Sequence, residues 1–244
     1  MLIIKVGGSV ITDKSRYLAF RNPVMDRIAE VLSHIREQMI IVHGAGSFGH
    51  LKAKEFDLPG RISERTLHGM NIVHTDVIRL NNEVLQRLRS HGLNVSSLTP
   101  FSLFNGRRNY SLMRRLISLG VNTVSHGDVY LTRESVNIIS GDTIVRDLAR
   151  LFRPRRVVFM SDVDGVYDRD PKKIRNAHLL RTVSGHVTVD GVNNDVTGGM
   201  RGKLNAMFEI SRYAGETVLM NGFHPERLNQ IGTESFIGTI IGTK

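Results

Sequence analysis

Leu2-Ile3-Ile4-Lys5-Val6-Gly7-Gly8-Ser9 and Met39-Ile40-Ile41-Val42-His43-Gly44-Ala45-Gly46-Ser47-Phe48-Gly49-His50 share one form, a short apolar run that breaks into a glycine-rich turn. Apolar runs of this length read as strands, and continuous ones as strands covered on both faces. A glycine lets the main chain approach a ligand closely, and a turn that feeds a helix aims unpaired N–H groups at an anion. Two such turns predict two phosphate-bearing ligands.

The rest of the chain alternates strand-length apolar runs with helical periodicity. Pro23 opens a helix at its first turn, with Val24, Ile28, Val31, Leu32 and Ile35 on one face. Leu67, Met70, Val73, Val77, Leu80, Val84 and Leu88 recur every three or four residues and predict a long helix. Further strands are expected at Val95–Leu98, Val121–Ser125, Val129–Leu131, Val136–Ile139, Val157–Met160, Thr217–Met220 and Phe236–Ile241, with a helix over Met200–Ala214. The segment 161–199, rich in Asp, Gly, Asn and Thr, is expected to be largely loop or hairpin. This alternation predicts an α/β fold, a mostly parallel open sheet with helices on both faces.

Composition narrows the function classes. The chain has 244 residues, 41% of them hydrophobic and 23% charged, values of an ordinary globular protein with room for a large core. No apolar run approaches the roughly 20 residues of a membrane span, and the N-terminus enters a strand without a signal-peptide pattern, so a cytoplasmic protein with no membrane partner is expected. The absence of Cys removes disulfides, thiolate nucleophiles and cysteine metal sites. The formal charge of +10 attracts anions, but the arginine pairs Arg107-Arg108, Arg114-Arg115 and Arg155-Arg156 are dispersed and aromatics are only 6%. That pattern reads as a solvated basic surface and not as a nucleic-acid site. The histidines show no metal-ligand spacing.

In an open α/β sheet, ligands sit beyond the carboxyl ends of the strands, so residues just after each apolar run carry the chemistry. Besides the two opening turns these are Ser140-Gly141-Asp142-Thr143, Ser161-Asp162-Val163-Asp164-Gly165-Val166-Tyr167 and Thr197-Gly198-Gly199-Met200-Arg201-Gly202-Lys203. No Walker-type loop is present. Gly44-Ala45-Gly46-Ser47-Phe48-Gly49 has dinucleotide-site spacing, but no acidic residue ends a strand about 20 residues later; Glu64 sits in a polar turn before a helix.

In their order these five turns resemble the signature of the amino-acid kinase superfamily, over essentially the whole length. Lys14 and the His43–His50 segment are similar to the archaeal isopentenyl phosphate kinases. The resemblance implies a single domain, 1–244, with an αβα sandwich. Its lobe of about 1–140 would bind the phosphate acceptor, and that of about 141–244 would bind ATP and Mg2+. It places Lys5, Lys14 and Lys203 around the β- and γ-phosphates, with Asp142 as the anion that organises them when ATP is absent. Gly7, Gly8, Ser9, Gly46 and Gly198 would hold phosphates through the main chain, and Asp162, Gly165, Tyr167, Asp170 and Lys172 would shape the nucleotide side. Mg2+ would be held mainly by the ATP phosphates. A homodimer is implied as well.

The acceptor is read from the second turn. Ala45, Gly46, Gly49 and His50, with Gly141, would receive a phosphate, His50 as a donor to it. A phosphate monoester has a second pKa of about 6 and needs no general base at neutral pH. An isoprenoid tail requires a dry pocket, for which Met70, Val73, Val77, Val129 and Ile139 are the candidates, although an apolar helical stripe is equally a core. The expected reaction is isopentenyl phosphate plus ATP to isopentenyl diphosphate plus ADP, in mevalonate-type isoprenoid biosynthesis. A fosfomycin-kinase-like phosphonate or small-phosphate kinase and a non-catalytic nucleotide-binding regulator are the alternatives. His43, which ends a buried strand, is expected to be structural.

Overall fold

Along the first strand, β1 (Leu2–Val6), Leu2, Ile4 and Val6 pack into one core cluster and Ile3 into another, because successive side chains point to opposite faces. The computed structural model describes residues 1–103, 109–169, 171, 174, 176–184 and 198–242, without the side chains of 198–201. Asp170, Lys172, Arg107, Arg108 and Thr197 therefore lie outside the described residues.

The other strands, in chain order, are β2 (Met39–His43), β3 (Gly60–Arg61), β4 (Val95–Ser97), β5 (Asn122–His126), β6 (Asp128–Leu131), β7 (Ser135–Ile139), β8 (Arg156–Ser161), β9 (Val166–Tyr167), β10 (Leu179–Leu180), β11 (Thr182–Ser184), β12 (Glu216–Asn221) and β13 (Thr239–Gly242). The helices are α1 (Gly8–Ile11), α2 (Asn22–Ser33), α3 (His50–Glu55), α4 (Glu64–Ser90), α5 (Pro100–Leu103), α6 (Ser111–Ser118), α7 (Gly141–Phe152) and α8 (Gly198–Ser211). An eight-stranded sheet runs in the order β11-β13-β12-β8-β1-β2-β5-β4, parallel throughout except between β12 and β13.

One face is covered by Met25, Ile28 and Leu32 of α2 and Leu80, Val84 and Leu88 of α4. The other is covered by Ile144, Val145 and Leu148 of α7 and Leu204, Met207 and Ile210 of α8. The central strands are buried on both sides, which is why their sequence is a continuous apolar run. Pro23 sits in the first turn of α2, and Ser63 caps α4 through a reciprocal capping box with Thr66.

Several expectations are corrected. β6 and β7 leave the main sheet and form a three-stranded antiparallel sheet with β3, because the two-strand turn at 132–134 keeps them paired to each other. Together with α3 and α4 it encloses a third apolar cluster of Ala53, Leu58, Met70, Val73, Val77, Val129 and Val136. Phe236 does not belong to the last strand: its ring folds over Gly238, where an added Cβ would lie 2.2 Å from it, and β13 starts only at Thr239. The 161–199 segment contributes the β9–β10 hairpin but also β11, which extends the main sheet. Glu64 is in the first turn of α4 and not before it. Helix α7, with Ser140 accepting from the Thr143 N–H as its cap, starts in the Ser140–Thr143 turn, where the sequence reading placed chemistry but no helix.

Glycine is required where the two opening turns meet. Gly46 has φ +51°, and an added Cβ would fall 2.1 Å from Thr12 Oγ1 and 2.9 Å from the Gly8 carbonyl oxygen. Gly46→Ala should therefore lower stability by more than the roughly 1–2 kcal/mol that a left-handed conformation alone costs a residue with a Cβ. By contrast, Gly202 lies within α8 with nothing within 4 Å of an added Cβ. Gly202→Ala should raise stability by about 0.5–1 kcal/mol. Urea unfolding of the two variants against the parent chain checks both signs.

Candidate active site

Strand register brings the turns together. Val6 pairs with His43 on one side and Met160 on the other, and His43 pairs with His126, so β1, β2 and β5 end level and β8 runs one residue further. The next residues continue the ladder: Gly7 donates to the Met160 carbonyl at 2.8 Å, Gly44 to Val6 at 2.9 Å and Gly127 to His43 at 3.0 Å. The turns therefore leave the carboxyl edge side by side, where α/β sheets bind ligands. Backbone meets backbone there: a Cβ on Gly8 would lie 2.4 Å from Gly46 N, and one on Gly44 would lie 2.7 Å from Gly8 N.

A cavity of about 250 Å³ opens at this edge. Its charged lining is Lys5, Lys14, Asp142 and Lys203, beside Gly7, Gly8 and Ser9. Ala45, Gly46, Gly49, His50 and Gly141 line it as well. Its apolar lining is Val73, Val77, Val129 and Ile139, to which Ala53 and Ile138 are added. Met70 is the exception among the tail-pocket candidates: it packs in the apolar cluster, 7% exposed, without lining the cavity. The helical stripe carrying it turns only part of its width toward the cavity.

Asp142, named from the sequence as the organiser of the lysines, is joined by a second carboxylate. Lys5, on the α7 face of β1 and buried, pairs with Asp142 Oδ1 at 2.9 Å. Lys14, two-thirds exposed on its loop, pairs with Asp162 Oδ2 at 3.3 Å. Lys203 donates to Ser161 Oγ at 2.9 Å. Two carboxylates on different elements thus share the three cations, and Asp162 reaches this cluster from the end of β8. Burial, then the Lys5 charge, pushes the Lys203 ammonium down to about 8, against the pull of Asp142 and Asp162.

His50 opens α3 at the cavity and keeps solvent access. Burial of its ring, then the Lys14 and Lys5 charges, holds its pKa below the ordinary imidazole range, so it is a neutral donor at pH 7. On the β8 side, Tyr167 Oη donates to Asp164 at 3.2 Å, and Asp164 also accepts from Asn221 at 3.0 Å and Arg227 at 2.5 Å. Gly165 packs against Thr239, and Gly198 is the first residue of α8. None of these lines the cavity described above.

Sequence reasoning missed the buried polar group behind the acceptor turn. Asp128, which lines the cavity, accepts from His74 Nδ1 at 3.1 Å and from the Val129 N–H at 2.8 Å. Burial raises its pKa, although His74 opposes the shift. His43 and His126 stack with ring centroids 5.3 Å apart, and His43 Nε2 lies 3.2 Å from Asn81 of α4. Burial pushes these two imidazoles down to about 4 and about 3. They are neutral struts under the glycine turns, in keeping with the structural role expected for His43. The signal was present: Ser125-His126-Gly127 repeats the strand-His-Gly form of Val42-His43-Gly44.

A parallel sheet whose level strand ends present glycine turns and a lysine cluster to one cavity defines the class, an α/β enzyme built to hold phosphates. The chain belongs to the amino acid kinase family, whose model matches residues 1–221. It is 45% identical to an isopentenyl phosphate kinase of Thermoplasma acidophilum, over 99% of this chain and 100% of that protein. It is 34% identical to that of Methanothermobacter thermautotrophicus, over 94% of each. A crystal structure of an isopentenyl phosphate kinase substrate complex superposes with a TM-score of 0.90 at 40% identity, covering 99% of this chain and 100% of that one. UMP kinase from Ureaplasma parvum, 16% identical with a TM-score of 0.69 over 99% of this chain and 97% of that one, shares the fold.

The Lys203 shift has a stability consequence. A lysine whose folded pKa lies below its unfolded value binds fewer protons when folded, so its contribution grows more favourable as pH rises through the window from about 8 to the ordinary lysine range. Below that window its buried charge opposes folding. Lys203→Met, which keeps the stem and removes the charge, should raise Tm at pH 7 by at least about 2–4 °C, the shift that 1 kcal/mol produces in a chain of this size. The gain should shrink as pH rises toward 10. Thermal melts of ligand-free protein across pH 7–10 check the sign.

Proposed function

We infer that this protein transfers the γ-phosphoryl group of ATP to isopentenyl phosphate, giving isopentenyl diphosphate and ADP, a step of isoprenoid biosynthesis. The carrying observation is one cavity lined by a lysine cluster, His50, two glycine turns and an aliphatic wall. A short apolar phosphate monoester is complementary to that set of surfaces, and the relatives' names agree with it.

The acceptor phosphate oxygen attacks the γ-phosphorus, the bond from that phosphorus to the β–γ bridging oxygen breaks, and ADP leaves. The protein's work is positioning and charge stabilisation. Lys5, Lys14 and Lys203 supply positive charge around the transferring group. Helix starts leave the N–H groups of their first turn without intrahelical partners, and Gly8 and Ser9 begin α1 beside the cavity. His50 donates to the acceptor phosphate and orients it. The dianionic monoester is its own nucleophile, so no base is assigned.

Mg2+ would arrive with ATP and supply neutralising positive charge at its phosphates, and Lys5, Lys14 and Lys203, which line the cavity, would act on the same phosphates. The half of the main sheet built from β1, β2, β4 and β5 carries the acceptor turn, and that from β8, β11, β12 and β13 faces the nucleotide. No helix among the described residues is long and apolar enough to cross a membrane. A cytoplasmic homodimer completes this reading, and sedimentation of the purified protein measures its oligomeric state.

His50→Ala should lower turnover of isopentenyl phosphate by about 10²-fold, the scale of one positioning contact, with the fold intact. A folded variant with parental kinetics would exclude the acceptor role. The wall supplies a second test. Val73→Ala, at the cavity surface, should raise activity on longer prenyl phosphates relative to the five-carbon acceptor, by an amount equivalent to about 1–3 kcal/mol per methylene accommodated. Met70→Ala should instead cost about 2–5 kcal/mol of stability and leave that ratio unchanged. Rates on a series of prenyl phosphates, with urea melts, separate the two.

A further inference from the structure

Thr12 ends α1 with its side chain fully buried, and its hydroxyl is used twice. It donates to the Gly8 carbonyl at 2.7 Å and accepts from the Ser47 N–H at 3.0 Å. Gly8 belongs to the turn after β1 and Ser47 to the turn after β2. The same side chain occupies the space beside Gly46, where an added Cβ would meet Thr12 Oγ1 at 2.1 Å and Cγ2 at 2.8 Å. Thr12 also pairs with Phe20 across the base of the loop that carries Lys14, a loop closed further by Asp13 N–H donating to the Ala19 carbonyl at 2.9 Å.

A threonine hydroxyl bonded to the carbonyl four residues back is common at helix ends and by itself serves only the helix. The bond to Ser47, 35 positions away, is of another kind, because it ties one phosphate turn to the other. Only a hydroxyl donates and accepts at one small atom, so neither valine nor alanine can make both bonds. Thr12 does not line the cavity, and any effect it has on the reaction passes through the backbone it holds.

We propose that Thr12 is a positioning residue that sets the separation between the donor and acceptor phosphates, and with it the root of the Lys14 loop. This rests on the phosphoryl-transfer reading given above. Transfer between two bound phosphates depends on their separation more steeply than the binding of either one does, since each turn keeps its own donors when the link between them is lost. The signature of the role is therefore a loss in kcat with little change in either KM.

Steady-state kinetics of the full chain with ATP and isopentenyl phosphate test it. Thr12→Val, which keeps the shape and removes the hydroxyl, should lower kcat by about tenfold to a hundredfold, the penalty for displacing reacting groups by up to about 1 Å. Both KM values should stay within about threefold, and Thr12→Ser, which restores the hydroxyl, should recover kcat to within about threefold of the parent. A folded Thr12→Val with parental kcat overturns the proposal. So does a loss confined to KM, or a Thr12→Ser variant that falls as far as valine. If Thr12→Val does not fold, Thr12→Ala, which also removes the hydroxyl, is judged by the same criteria. Failure of the parent chain to phosphorylate isopentenyl phosphate strikes the functional reading instead, and the ratio of variant to parent is then read on the phosphate or phosphonate acceptor that it does use.

Discussion

Backbone packed against backbone at Gly8 and Gly46 is the constraint on which the site depends. An added Cβ at Gly8 would stand 2.4 Å from the neighbouring turn's nitrogen, so no side chain fits between the two turns. The closeness originates in the sheet: β1, β2 and β5 end level with β8 one residue longer, and the first residue after β1, β2 and β5 bonds to a carbonyl at the end of its neighbour. In the proposed reaction, turns this close would bring together two phosphates that otherwise repel each other. The lysines beside them would offset that repulsion.

Those lysines come at a cost to the empty protein. Three ammonium groups share two carboxylates, Asp142 and Asp162, and burial with the Lys5 charge holds the Lys203 pKa down to about 8. A bound polyphosphate supplies the missing negative charge, and any ligand that binds only the folded state stabilises it by mass action. In the proposed reading the site is electrostatically incomplete until a polyphosphate binds. This is the arrangement expected where function is favoured over stability.

Helix α4 serves two surfaces with one stripe. Its C-terminal part packs Leu80, Val84 and Leu88 against the main sheet, and its N-terminal part turns Val73 and Val77 to the cavity while Met70 stays in the apolar cluster with the small sheet. The capping box at Ser63 and Thr66 fixes where this long helix begins, and therefore which turn of it faces the acceptor. Asn81, at the changeover between the two surfaces, reaches His43 and Ser97 and anchors the helix to the strand ends.

The sequence by itself determined the alternating α/β order, the identity of the buried strands, the long helix and the placement of glycine turns after strands, because each depends on local periodicity and on the conformational freedom of glycine. It also marked most of the residues that meet in the cavity, since chemistry in such folds follows the strand ends. Tertiary structure alone decided that β6 and β7 form a separate wall, that Met70 stays off the cavity surface while Val73 reaches it, that Asp162 shares the lysines with Asp142, and that Asp128 and the His43–His126 stack lie beneath the acceptor turn. Each of these is a contact between segments far apart in the chain. Periodicity reports which face of an element is apolar, but the partner that covers that face is chosen by packing and by strand register, to which no single segment of sequence has access.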